Sequence, residues 1–166
     1  MGRIDLNPSA GVVIESLRSI GYTLETAIAD IIDNSISAGA SKVQIMHRWL
    51  GGGESWVAMA DDGMGMSELA LHDAMKLGGH FSNMEGSLGR FGFGLKTASI
   101  SQCRRLTVVT VCRGDMCACV WDVEAAMRNN CWDAIMQGKE SILSDAFLRE
   151  VCEKLGVDAG KDGTVI

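Results

Sequence analysis

The sequence predicts an α+β fold, a two-layer sandwich whose mostly antiparallel sheet is covered on one face by helices. Three observations carry that prediction. Along the 166 residues the apolar pattern switches period in the order helix, helix, strands, helix, loop, helix, strands, helix, strand. The strand-like runs come as neighbouring pairs separated by short turn-forming stretches, the mark of hairpins. The 20 glycines, against one proline, are clustered at Gly51 to Gly53, Gly63 with Gly65, Gly78 with Gly79, and Gly86 to Gly94. Such clusters mark turns or places where backbone must come close to something.

Each element follows from its local pattern. Residues 9–20 place Val13, Leu17 and Ile20 at helical spacing behind Ser9 as a cap, and Gly21 ends the run. From Thr23 to Gly39 a second helix gathers Leu24, Ala27, Ile28, Ile31, Ile32 and Ser35 on one side. KVQIMHRWL and SWVAMAD read as a hairpin across a glycine turn. Ser67 caps a helix to Leu77, and a polar, glycine-rich segment from Gly78 to Gly92 follows, long enough to suggest a functional loop or lid. Helix resumes over 93–101, and RLTVVTVC and MCACVWDV form a second hairpin around Arg113-Gly114-Asp115. A helix at 144–155 precedes a last strand beginning at Thr164, which looks cut.

Bulk properties limit the function classes. A hydrophobic content of 47% and a charged content of 22% suit one domain with its own core. No apolar run approaches the roughly 18 residues of a membrane-spanning helix, and no export signal is visible, so a soluble cytoplasmic chain without a membrane partner is expected. The net charge of −6 leaves this piece no electrostatic footprint for non-specific nucleic-acid binding. The six cysteines lie scattered in apolar segments and read as reduced structural thiols; Cys112, Cys117 and Cys119 lack the second ligand pair of a zinc site. The four tryptophans read as packing residues. His47 and His72 read as ordinary surface or half-buried residues, and His80 lies in the loop.

Three motifs carry chemistry. On the second helix Asp30 and Asn34 stand at i and i+4 and share a face, a carboxylate able to take a proton from water beside an amide oxygen suited to Mg²⁺. Alone, such a pair also reads as solvated surface. In MADDGMGM, Asp61 sits at a strand end with Gly63, Gly65 and Met66 beyond it, where a planar base could offer an exocyclic amine to the carboxylate. A plain structural turn is the alternative, and the ligand spacing of an EF-hand is missing. In GSLGRFGFGLKTAS, Gly89, Gly92 and Gly94 open a helix with Lys96 in its first turn, a phosphate-binding arrangement distinct from the Walker and dinucleotide motifs.

In this order and spacing, the three motifs resemble the ATP-site boxes of the GHKL superfamily, whose members include gyrase, MutL, MORC proteins and the ninety-kilodalton heat-shock chaperone. DNSISAGASKVQI resembles the MutL and MORC version, GRFGFGLKTAS is similar to the MORC box, and DGTVI resembles the fourth box. The resemblance spans roughly residues 9–166. It implies the Bergerat ATP-binding fold, with ATP and Mg²⁺ as ligands. By resemblance Asp30 is the general base, Asn34 holds Mg²⁺, and Asp61 binds the adenine amine above Gly63, Gly65 and Met66. Gly89, Gly92 and Gly94 wrap the phosphates, Lys96 neutralises them, and Thr164 joins the adenine-side hydrogen bonds.

Two departures bear on rate. The family usually has glutamate where this chain has Asp30, a reach shorter by about 1.5 Å, so slow turnover with binding retained is expected. Ser37 stands where relatives often have aspartate. The resemblance further implies a lid that closes on nucleotide and a possible nucleotide-dependent homodimer. DNA or protein clients would be held by regions outside 1–166, which read as one domain truncated in or just after the fourth box. A histidine-kinase-type catalytic domain is the alternative, weakened by the lack of a preceding helical hairpin with a phosphoacceptor histidine. A nucleotide switch with negligible hydrolysis is another, kept open by Asp30.

Overall fold

Side-chain caps set the starts of most helices. In the computed structural model, which describes residues 4, 8–19, 21–51, 55–76, 94–157 and 160–166, α1 (Ala10–Arg18) begins where the Ser9 hydroxyl accepts from the Val12 amide. Thr23 caps α2 (Leu24–Ser37) and Ser67 caps α3 (Glu68–Met75) in the same way. The buried stripe of α1 is Ala10 and Ile14, with Leu17 packed beside them and Val12 exposed. Helix α4 spans Gly94–Gln102.

Two hairpins supply most of the sheet. Strand β1 (Val43–Arg48) pairs antiparallel with β2 (Trp56–Asp61), and β3 (Arg105–Cys112) with β4 (Asp115–Asp122). The second hairpin turns at Arg113 and Gly114, both with positive φ (54° and 86°), the two-residue geometry that matches strand twist. Three elements were not among those expected: α5 (Val123–Asn129), β5 (Ile135–Gly138) and α6 (Lys139–Ser144). Helix α7 (Ala146–Leu155) falls within the expected 144–155, capped by Asp145 and stopped by Gly156 in the left-handed region. The last strand, β6 (Gly163–Val165), inserts between the hairpins, giving the all-antiparallel order β1-β2-β6-β3-β4-β5.

The expected α+β sandwich on an antiparallel sheet is the architecture found. Strand alternation sends side chains to two cores. Leu106 and Val108 of β3 and Cys119 and Trp121 of β4 meet Ile14, Leu71, Ile100 and Ala126 from α1, α3, α4 and α5. Their neighbours Val109, Val111 and Ala118 meet Ile142, Leu148, Val151 and Leu155 from α6 and α7, so the second face of the sheet also carries helices. Trp56 packs edge-on against Phe147 and Trp121 against Trp132, whereas Trp49, 76% exposed, is not a packing residue. All six cysteines are free thiols. Among the described residues no helix is long and apolar enough to cross a membrane.

If the second core contributes to the fold, Ile142→Ala, at a fully buried side chain, should cost about 2–5 kcal/mol. A denaturant titration reads that loss. An unchanged midpoint would show that α6 packs without holding the sheet.

Candidate functional site

Helix α2 presents Asp30 and Asn34 beside its buried stripe of Ala27, Ile31 and Ser35, one turn apart and half-buried. The Asp30 carboxylate accepts a 2.7 Å hydrogen bond from the Tyr22 hydroxyl, in the link before α2. That bond to the anion, with some burial, raises the Tyr22 pKa. The Asn34 amide nitrogen is buried and has no partner among the described residues. An unpaired amide there is open to a ligand.

Next to this helix the sheet carries a polar row. Asp61 closes β2, and Thr164 of β6 lies directly opposite it, with Thr110 of β3 opposite Thr164 in turn. All three are buried. One Asp61 oxygen accepts from the Ser35 hydroxyl at 3.0 Å and the other from the Gly63 amide at 3.0 Å. Thr110 accepts from the Met66 amide at 2.8 Å, and its hydroxyl lies 3.2 Å from that of Thr164. The structure thus brings Asp61, Gly63, Met66 and Thr164 together, with Ser35 and Thr110 among them.

The neighbouring acid does a different job. Asp62 accepts from the Ser41 hydroxyl at 2.6 Å and from the Ser41 and Lys42 amides at 2.8 Å each, and these bonds hold its carboxyl below the usual range. They stitch the loop after β2 to the end of α2, as does the Met64 amide to the Ala38 carbonyl. The glycines are required by the same close packing. A Cβ on Gly65, at φ +62°, would overlap the Val111 carbonyl, and one on Gly63 would lie 2.9 Å from Ala38. Their small size thus serves chain against chain first.

Gly94 is the first residue of α4, and Lys96 lies in its first turn. The Lys96 side chain is fully buried, and its ammonium donates to the carbonyl of Lys76, the residue that ends α3. Burial pushes its pKa down to about 8. Gly89, Gly92 and His80 lie outside the described residues. A cleft of about 700 Å³ opens between α1, α3 and β4, lined by Leu17, Met75, Trp121 and Trp132, and takes none of the expected site residues. Among the described residues no group of three or more His, Cys, Asp or Glu gathers to hold a metal.

Sequence reasoning placed Ser35 on the apolar side of α2 and passed over Tyr22 and Thr110. Thr110 had a signal, being a hydroxyl within the buried run VVTV. Tyr22 had none, since its contact joins residues eight apart, from the link before α2 to the second turn of that helix.

The family model for histidine kinase-, DNA gyrase B-, and HSP90-like ATPases matches residues 22–150, which hold the α2 pair, the β2 loop and α4. The chain belongs to this family. Among curated proteins, ATPase morc-1 of Caenorhabditis elegans is 36% identical over 86 residues, covering 51% of this chain and 10% of the relative. The DNA mismatch repair protein MutL of Chlamydia trachomatis is 31% identical over 115 residues, covering 65% of this chain and 18% of MutL. MutL of Chlamydia caviae is 28% identical over 158 residues, covering 91% and 23%. The chain therefore spans about a tenth to a quarter of the length of these relatives. This is an ATP-binding domain of the GHKL ATPase type.

Two outcomes test the geometry of this GHKL domain. Thr110→Val keeps the shape but leaves the Met66 amide without its acceptor, and should cost about 1–3 kcal/mol. Hydrogen exchange at Met66 should quicken with it; unchanged protection would place that amide elsewhere. The second concerns Lys96, whose folded pKa of about 8 lies below its ordinary 10.5. Between those values the unfolded chain binds the extra proton, so this group makes stability rise with pH from about 8 to 10.5 and holds it down below 8. Melts across that range should show the rise, and Lys96→Met should flatten it.

Proposed function

We propose that this GHKL domain binds ATP with Mg²⁺ and hydrolyses it slowly to ADP and phosphate. One observation carries the binding half. Asp61 is a buried carboxylate whose partners among the described residues are two neutral donors, Ser35 and Gly63. Burying a charge without a cation is costly, and such a group keeps strong acceptor capacity for an incoming donor. The exocyclic amine of adenine is that donor in the proposed complex, with Thr164 beside it and the Gly63–Met66 loop beneath the base.

The orphaned Asn34 amide nitrogen, a donor that suits a phosphate oxygen, and the composition of the α4 entrance fit the triphosphate end. Asn34 would hold Mg²⁺ through its amide oxygen, a ligand class the ion accepts, and the ion would neutralise phosphate charge. Gly89, Gly92 and Gly94 would wrap the phosphates, with Lys96 adding positive charge. Asp30 takes the proton of the attacking water as oxygen bonds to the γ-phosphorus. The bond from that phosphorus to the bridging oxygen breaks, and ADP carries the released charge. A misplacement of about 1 Å can cost on the order of a hundredfold, so the short Asp30 makes turnover slow.

In the whole protein, closure of the segment between α3 and α4 over nucleotide would favour a homodimer. The relatives' names, a MORC ATPase and a mismatch-repair protein, support a DNA- or protein-remodelling role exercised through regions outside 1–166. A nucleotide switch that scarcely hydrolyses is favoured by the same Asp30.

Binding and turnover separate the readings. Asp61→Asn should weaken ATP binding by about tenfold or more, the loss of one buried charged hydrogen bond. Asp30→Asn should leave affinity within about threefold and lower phosphate release by roughly 10²-fold or more. Asn34→Ala should remove the Mg²⁺ dependence of binding. Calorimetry and a phosphate-release assay read these effects. Unaltered affinity in Asp61→Asn sinks the adenine assignment, and background release from the wild type with ATP bound leaves the switch.

A further inference from the structure

We infer that Tyr22 is a positioning residue for hydrolysis, its phenol fixing the Asp30 carboxylate so that one oxygen is held and the other is left for the attacking water. This rests on Asp30 as the base. The contact is built from both sides. Gly21 takes a left-handed φ of +83° in the link before α2, and Thr23 caps α2 two residues later. The phenol between them reaches along α2 to the second turn, where its hydroxyl donates to Asp30 Oδ2 at 2.7 Å.

Tyr22 is itself anchored. Its carbonyl accepts from the Gln102 side chain at 2.8 Å, and Gln102 is the last residue of α4. The helix that begins at the glycine-rich box thus ends on the residue holding the base. Among the described residues no Lys or Arg forms an ion pair with Asp30, so the phenol is the donor that orients it. The hydrogen bond to Asp30, with some burial, raises the phenol's pKa. An aspartate one methylene shorter than the family's glutamate has less reach to spare. A carboxylate free to rotate away would forfeit the effective concentration that a positioned group supplies.

A structural tie at the start of α2 would place the same atoms together, so the test must read more than stability. Hydrolysis by the wild type, Y22F, D30N and Y22F/D30N gives a cycle in which Y22F should lower kcat by about 10- to 100-fold and leave KM for ATP within about twofold. Added to D30N, Y22F should do nothing more, because its effect passes through the carboxylate. A further loss in the double variant, or an unchanged kcat in Y22F, overturns the inference. Tyr22 is the one tyrosine in the chain, so tyrosine ¹³Cζ labelling reports it alone by NMR. In D30N its ionisation should fall toward the ordinary value of 10.0; an unmoved titration overturns the contact itself. Equal phosphate release from wild type and D30N would overturn the assignment of Asp30 and with it this role, whereas loss in D30N without loss in Y22F overturns the role of Tyr22 alone.

Discussion

The insertion of a three-residue strand between two hairpins is the constraint on which the site depends. β6 bonds to β2 on one side and β3 on the other, and Ile166 exchanges two backbone bonds of 2.8 Å with Met59. Without it the hairpins would present two open edges, and Asp61 and Thr110 would have no Thr164 between them. The join tolerates no side chain at its first position, because a Cβ on Gly163 would overlap the Asp61 carbonyl. A glycine at the start of the last strand and a carboxylate at the end of the second are therefore two halves of one packing requirement.

That join places a polar row inside a sheet that is otherwise apolar, and the row has a cost in the ligand-free protein. Asp61 and Lys96 are buried ionisable groups of opposite sign, and the hydrogen-bond partners found for them are neutral: a hydroxyl, an amide and a carbonyl. Neutral dipoles offset part of the desolvation of a charge and not all of it. In the proposed complex the adenine amine would meet the carboxylate and the phosphates would meet the ammonium. Binding would then relieve two strains that folding imposed, a reason for affinity to be retained even where hydrolysis is slow.

Much of this was legible in the chain because the strong signals were local. Caps at Ser9 and Ser67, both hairpins and the glycine-marked loop after Asp61 each declare themselves within a few residues. What escaped was set by contacts across the fold. The stripe of α1 centres on Ile14 because the sheet chooses the helix face. β5 is four residues with no fully buried side chain, so it has no period to read. α5 carried a readable cap in Asp122, whose carboxylate accepts from the Ala125 amide, but its seven residues gave too short a pattern. At the site, the carboxylate and amide positions were readable as residue types, whereas the hydroxyls around them, Ser35 and Tyr22 on the carboxylates and Thr110 on the Met66 amide, became visible when register and helix packing were fixed.

The same separation explains how binding and chemistry can differ in strength within one domain. The groups assigned to adenine stand on the sheet or in a loop tied to the end of α2 by the Asp62 carboxylate and to β3 by the Thr110 hydroxyl. The group assigned to hydrolysis stands on α2, held by a phenol from a link of a few residues and, through Gln102, by the far end of α4. A base so mounted takes its orientation from helix α4 as well as its own, and α4 begins at the glycine-rich box. In the proposed reading, any movement of that box on nucleotide would reach Asp30 along α4 and Tyr22, while Asp61 and Thr164 stayed fixed by strand pairing. Slow hydrolysis would then reflect not a defective pocket but a base whose short reach makes it depend on that alignment.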